Sequence, residues 1–373
     1  MTNEPFTEET PGQIDPQNPF DNSLENPAYR TDYRRFLPQI LLPGFQIPLF
    51  PERGERRNLR RQLNTAGAGV LLSSLGSQLL FRLLLFVLLL CMDGSVAAYF
   101  NGDQSGAMHA MLQSGIYMAL HVLVFAGMNT LVAVMGCRRI RQPLRGLFQT
   151  ADFSAWKAFQ YICIGFGLQY ATGIGYQGVK LLGQHWGLTF PEVSFNFFQT
   201  AQSALFALLY TCILAPITEE LLFRGFLMKS LSAVSVRFGI VTSALLFGLM
   251  HGNVQQCILG IFMGLFLGKI AARHNSLLPS ILVHMAINTG STLLNLVQVK
   301  VPERLRILVM MPFGFVVFAL AVMGIAFWFG SERKQPLPYS TQKQAARNRL
   351  FWSSPLLLAA FAGLLGLMGY QMW

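Results

Sequence analysis

Ala215-Pro216-Ile217-Thr218-Glu219-Glu220-Leu221-Leu222-Phe223-Arg224-Gly225-Phe226 sets two adjacent carboxylates and an arginine inside an apolar run. Long hydrophobic segments flank it on both sides. An ionisable group at membrane depth is costly unless it is paired or meets water, so it marks a functional site by default. On a helix Glu220 and Arg224 are one turn apart and face each other. Glu219 is rotated by about 100° from Glu220 and points elsewhere. One carboxylate can therefore be held by the arginine while the other stays free for chemistry. Taken alone, Glu220 and Arg224 read most simply as an ion pair that pins a bundle. That reading leaves Glu219 without a partner.

The rest of the chain supplies the setting. Of its 373 residues 53% are hydrophobic and 12% charged, against about a quarter charged in soluble domains. With its apolar runs this predicts an all-α, polytopic helical membrane protein, roughly 8–9 transmembrane helices around a buried polar cavity. The spans are expected near 67–92, 108–135, 157–181, 200–230, 236–252, 255–272, 278–297, 306–330 and 353–372. The net charge of +11 lies in clusters beside these spans, as the positive-inside rule requires, and does not point to nucleic acid. Arg138, Arg139, Arg141 and Arg145 follow the second span, whereas the loop at 93–107 has no Lys or Arg. The alternation puts the N-terminus in the cytoplasm, at the plasma membrane if the cell is bacterial, and the C-terminus outside. The loop with Lys300, Arg304 and Arg306 is the exception.

Residues 1–64 are rich in Pro, Asn and charge and are expected to be a largely disordered cytoplasmic arm. The chain starts with Glu4, Glu8 and Glu9 and lacks the basic start and apolar core of a signal peptide. An apolar, proline-broken patch from Phe36 to Phe50 lies between arginine clusters. It reads most simply as part of a topogenic signal; resting on anionic lipid is the other reading. Residues 65–373 are expected to form the membrane domain, with a candidate site within about 200–297. The cysteines are scattered without metal-ligand spacing and read as small apolar residues.

Further polar groups fall in the same set of spans. His251 closes the apolar run Leu245–Met250, with Phe247 one turn before it. His284 and Asn288 project from one helix face. Singly, each is an ordinary core histidine or interhelix amide; their joint occurrence is what points to a site. Glu219 and His251 are equally far in sequence from a turn near Ser232–Val236. That gives them equal depth, about 24 Å from the turn on continuous helices. His284 is expected about 10 Å shallower, so tilt or an extended Ser276–Ser280 link containing Pro279 must close the gap. Pro216 should kink its helix or start a fresh one.

A glutamate and a histidine sharing a water form a general base. A second histidine and an asparagine amide can donate to the oxyanion of a tetrahedral intermediate. Glu219, His251 and His284 could instead hold Zn²⁺ with one open position. Both chemistries fit these residues, and the first needs no cofactor. Other intramembrane hydrolase signatures are missing. There is no His-Glu-x-x-His and no Gly-x-Ser-x-Gly, and the Gly102–Asp103 pair lies in a polar loop.

Glu219-Glu220-x-x-x-Arg224, Phe247-x-x-x-His251 and His284-x-x-x-Asn288, in this order on successive spans, resemble the CPBP family. This is the CAAX-protease and bacteriocin-processing, Abi-like family of intramembrane proteases, which includes the type II CAAX prenyl endopeptidases. The resemblance covers about 200–297. It implies an all-helical fold with a water-filled cavity and Glu219 activating water, with His251 beside it. It implies His284 and Asn288 as oxyanion donors, with Glu220, Arg224 and Phe247 as supports. The expected partners are the lipid bilayer and a peptide or protein substrate, lipidated or membrane-embedded. Two other classes of function compete with it: a non-catalytic peptide-binding, immunity or scaffold protein, and a proton-coupled transporter using the intramembrane Glu and His.

Overall fold

Backbone amides find no water to bond in a bilayer core, so apolar runs of this length close their own hydrogen bonds as helices. A computed structural model of the chain describes residues 39–42, 45–48, 51–91, 111–149, 153–187, 190, 200–328 and 344–372. Strands β1 (Gln39–Leu42) and β2 (Phe45–Pro48) form a small antiparallel hairpin with Ile40 opposite Ile47. Among the described residues all other regular structure is helical. In chain order the helices are α1 (Arg53–Cys91), α2 (Ile116–Ile140), α3 (Ala155–His185), α4 (Ala201–Leu231) and α5 (Val236–Met250). They are followed by α6 (Val254–His274), α7 (Leu278–Lys300), α8 (Glu303–Trp328), α9 (Gln344–Arg349) and α10 (Pro355–Met372).

The all-helical membrane fold stands. The count of 8–9 crossing helices is not confirmed. Among the described residues six helices are long and apolar enough to span, or seven if the bent pair Ala346–Ser353 and Pro355–Gly369 is one crossing. Helix α5 is apolar but has only 15 residues. Helix α3 has 31 residues, but Gln160, Gln169, Gln177 and several glycines lower its hydropathy.

The first helix also starts earlier than expected. Of the arm at 1–64, residues 1–38 lie outside the described residues, and so does part of the Phe36–Phe50 patch. The segment from Pro51 onwards is already helical. Its apolar positions explain this. Leu59, Leu63, Ala66 and Val70 recur at helical spacing and are all buried, while Arg56, Arg57, Arg60 and Arg61 are exposed. The Ser230 hydroxyl donates to the Gln62 carbonyl, and the Leu356 amide to the Asn64 side chain. The basic cluster is thus docked on both α4 and α10.

Helix starts follow their side chains. Ser154, Ser235 and Asn253 accept from the backbone amide three residues on, and Thr200 and Ser203 form a reciprocal capping box. Asn275 ends α6 at φ 45°, in the left-handed region that asparagine tolerates.

Helix α4 is the centre of the bundle. Every residue from Leu222 to Ser235 is buried. Glycines let neighbours reach it: a Cβ on Gly69 or Gly136 would lie 2.5 Å from the Phe226 ring. The α5–α6 hairpin closes in the same way. A Cβ on Gly264 would sit 2.8 Å from the Ala244 Cα, and one on Gly260 at 2.8 Å from the Gly248 Cα. Small residues one turn apart, Ala244 and Gly248 facing Gly264 and Gly260, bring two backbones together where hydrophobicity alone gives no driving force.

Gly264→Leu is therefore expected to strain this hairpin by about 1–3 kcal/mol or more. It should lower the thermal midpoint of the purified protein by several degrees. Gly173→Leu, where a Cβ meets nothing within 4 Å, should leave the midpoint in place.

Candidate active site

The site is built on α4. Two stretches of this helix are wound as π-turns, Tyr210–Leu214 and Leu221–Leu227, and Glu219 and Glu220 lie between them. Single π-turns inserted into α-helices often accompany functional sites. Pro216 was expected to kink its helix or start a fresh one, and it stands in the first turn of the α-helical segment Ala215–Glu220, directly after the first π-turn. The Ala215 amide donates to the Tyr210 carbonyl, and the next donor in that pattern would be residue 216, a proline with no N–H. The Thr211 carbonyl is thus left without a backbone donor. Asn288 of α7 fills the gap: its amide nitrogen donates to the Thr211 carbonyl at 3.0 Å. One turn further along, the Thr292 hydroxyl donates to the Thr211 hydroxyl at 3.3 Å.

The two glutamates have separate fates. Glu220 is fully buried, and its Oε1 lies 3.0 Å from Arg224 Nη1 and 3.1 Å from His284 Nδ1. Arg224, 1% exposed, also donates through Nη2 to the Gly264 carbonyl at 3.4 Å. Its guanidinium lies 4.6 Å from the centroid of the Phe247 ring, which adds a cation–π contact. Glu219 is 13% exposed, and its Oε2 is 3.9 Å from His284 Nε2. That is beyond hydrogen-bond reach. Glu219 accepts no hydrogen bond from a described residue, so its carboxylate is the free one.

His284 stands between the two carboxylates, with Nδ1 on Glu220 and Nε2 towards Glu219. The expectation had placed His251 as the close partner of Glu219. Among the described residues no ion-pair contact within 4.0 Å joins these two; the imidazole nearest Glu219 is that of His284. The reason is the start of α7. The Leu277 amide donates to the Leu147 carbonyl at 2.7 Å, and α7 begins at Leu278 with Pro279 in its first turn. The extended Ser276–Ser280 link does not occur. The short link, anchored on the α2–α3 connection, brings His284 to the depth of both glutamates.

His251 sits just past the end of α5, and its Nδ1 bonds the Phe247 carbonyl at 2.8 Å. A carbonyl can only accept, so Nδ1 carries the hydrogen, and in the neutral ring Nε2 is the acceptor. Phe247 joins the group as an aromatic hub. Its ring centroid is 5.0 Å from that of His251 and 5.9 Å from that of His284, both edge-on.

All seven residues singled out in the sequence thus belong to one neighbourhood formed by α4, α5 and α7. Sequence reading missed the Thr211 carbonyl, which depends on a π-turn, and the Gly264 carbonyl of α6. As placed, Glu219, His251 and His284 are not a zinc ligand set. Among the described residues no three His, Cys, Asp or Glu side chains converge to hold a metal ion, so the arrangement lends no support to a metalloprotease.

Residues 201–290 match the family model described as type II CAAX prenyl endopeptidase Rce1-like. The match runs from the start of α4 into α7 and includes the paired glutamates, both histidines and Asn288. It leaves α1–α3 and α8–α10 outside. No curated protein and no solved structure matches the chain.

Breaking a buried ion pair from one side costs about 3–5 kcal/mol. Arg224→Ala should therefore lower the thermal midpoint by about four to six degrees, or prevent recovery of folded protein. Glu219→Gln removes no direct hydrogen bond and should melt within about two degrees of the natural chain.

Proposed function

We propose that this protein is an intramembrane endopeptidase in which Glu219 activates a water for attack on a peptide bond. One observation carries the reading: two adjacent glutamates divide, Glu220 locked by Arg224 and His284, Glu219 with only a 3.9 Å ion-pair contact to His284 and no hydrogen bond from a described residue. A purely structural ion pair needs the first and has no use for the second. The match to a prenyl endopeptidase family supports a peptidase acting at the membrane.

The geometry suggests how roles are shared. A gap of 3.9 Å beside a carboxylate invites a bridging water. Glu219 takes a proton from that water, and the oxygen adds to the carbonyl carbon of the substrate. His251, with Nε2 unprotonated, is the second base at the site. With His284 protonated, the cluster holds two carboxylates, one guanidinium and one imidazolium, which balance in a low-dielectric interior. Nε2–H of His284 and the second amide hydrogen of Asn288 are then the donors for the oxyanion. The Asn288 hydrogen bond to Thr211 fixes the side chain and leaves one N–H to give. Collapse of the tetrahedral intermediate breaks the C–N bond, and the proton taken by Glu219 goes to the leaving amine.

Exposed arginines and lysines gather at the α1, α5 and α10 starts and at the α2 and α6 ends. Hydrogen bonds from Arg60 to Ser353, Ser230 to Gln62 and Leu277 to Leu147 tie these ends into one face. By the positive-inside rule this face is cytoplasmic, with the start of α1 on it. The substrate is a peptide or protein segment at the membrane, and a lipidated C-terminus is the first candidate given the family match.

The test is cleavage of a mixture of synthetic peptides, farnesylated and unmodified, by the purified protein in lipid nanodiscs, read by mass spectrometry. The natural chain should yield products, and Glu219→Gln should lose about 10³-fold in rate while melting normally. Full activity in that variant refutes the assignment. No product from any peptide, with binding intact, would favour a non-catalytic peptide-binding protein.

A further inference from the structure

Helix α2 is absent from the sequence motifs and from the family match, yet it runs beside α4 over the length of the site. Gly115 packs on Gln202 and Ser203, and the His121 ring meets Tyr210 edge-on at 5.4 Å. Gly136 lies on the Phe226 ring, and the Cys137 thiol donates to the Gly225 carbonyl at 3.6 Å. These pairs keep a near-constant offset along two parallel helices, which places Asn129 at the level of Thr218 and Glu219. Helical phase agrees. Asn129, Val132, Ala133, Gly136, Cys137 and Ile140 form one buried stripe, and Gly136 and Cys137 of that stripe touch α4.

Three polar side chains along this seam make no hydrogen bond to a described residue: the His121 imidazole, the Asn129 amide and the Tyr210 hydroxyl. Asn129 is 4% exposed. His121 is held only by rings, stacked on Phe125 at 4.3 Å and edge-on to Phe81 at 5.5 Å. The proposed chemistry uses none of the three. Unpartnered polar groups in a bilayer are expensive and mark contact with something polar that comes and goes.

A peptide about to be cleaved is such a thing. Its backbone must be extended at the scissile bond, and each N–H and C=O freed from a helix needs a partner inside the membrane. From His121 to Asn129 is about 12 Å along the helix. That is the length of about three to four extended residues.

We propose that the α2–α4 seam is the second wall of the substrate site, with Asn129 bonding the backbone of an extended peptide beside Glu219, and His121 and Tyr210 meeting it farther along. The proposal rests on the peptidase reading and deepens it. It makes the substrate an unwound segment, held over about three to four residues on this side, rather than an intact helix.

The first experiment needs no cleavage. Asn129→Cys and, separately, Leu123→Cys are placed in a chain carrying Cys91→Ala and Cys212→Ala, reconstituted in nanodiscs and treated with a charged maleimide. Leu123 is 70% exposed on the outer face of α2 and reports lipid. The thiol at position 129 should label at least tenfold faster than that at 123. The second experiment uses a peptide that the natural chain cleaves. Asn129→Ala should raise KM about tenfold, the cost of one lost hydrogen bond, with kcat within about twofold. Asn129→Gln should recover part of the loss. A thiol at 129 that labels no faster than one at 123, or an unchanged KM in Asn129→Ala, overturns the proposal. Because labelling does not depend on turnover, a closed seam is told apart from a chain that cleaves nothing.

Discussion

The structure depends on a buried ion pair with a third member. Glu220, Arg224 and His284 come from two helices, and each satisfies part of what the others need. Placing such charges in a bundle surrounded by lipid is tolerable only when they are matched in sign and geometry. The match fixes the rotation of α4, the depth of α7 and the orientation of the His284 ring. Once Glu220 is committed, Glu219 on the next position of the helix keeps only a 3.9 Å ion-pair contact with His284. A buried ion-paired cluster thereby presents one carboxylate that accepts no hydrogen bond from a described residue. Arg224 ties the cluster to α6 through the Gly264 carbonyl and to α5 through the Phe247 ring, so four helices share the constraint.

Irregular backbone does the remaining positioning. A π-turn followed by proline strips the Thr211 carbonyl of its donor, and the Asn288 amide replaces it. The Asn288 side chain is thus locked by a defect in the neighbouring helix. Glycines work at longer range. With Cβ atoms at Gly260 and Gly264 the α5–α6 hairpin could not close, and His251 would be displaced with it: a Cβ on Gly260 would lie 3.4 Å from His251 Nδ1.

Much of this was legible in the sequence, for identifiable reasons. The pairing of Glu220 with Arg224 follows from one helical turn, a local rule that lipid does not disturb. The grouping of Glu219, His251, His284 and Asn288 followed from polar residues being too costly to scatter in a membrane. What failed was long-range geometry. Counting residues from a turn assumes straight helices that begin at the same level. Helix α7 does not, because the Leu277 amide is fixed on Leu147. The close imidazole is therefore His284 rather than His251. The count of 8–9 spans is not confirmed among the described residues, because α5 is short and α3 carries glutamines. The start of α1 was set too late because its arginines hid the buried stripe of Leu59, Leu63 and Ala66. The α2 seam gave no signal at all, since His121 and Asn129 are single polar residues in an apolar run until α4 is laid beside them.

The central claim is that two neighbouring carboxylates differ in kind, one locked and one free. A hydrophobic carbodiimide, which reacts with accessible carboxyl groups inside membranes, tests it directly. After treatment of the folded protein in nanodiscs, peptide mass spectrometry should find the adduct on Glu219 and none on Glu220. Equal modification of both, or modification of Glu220 alone, would contradict the account.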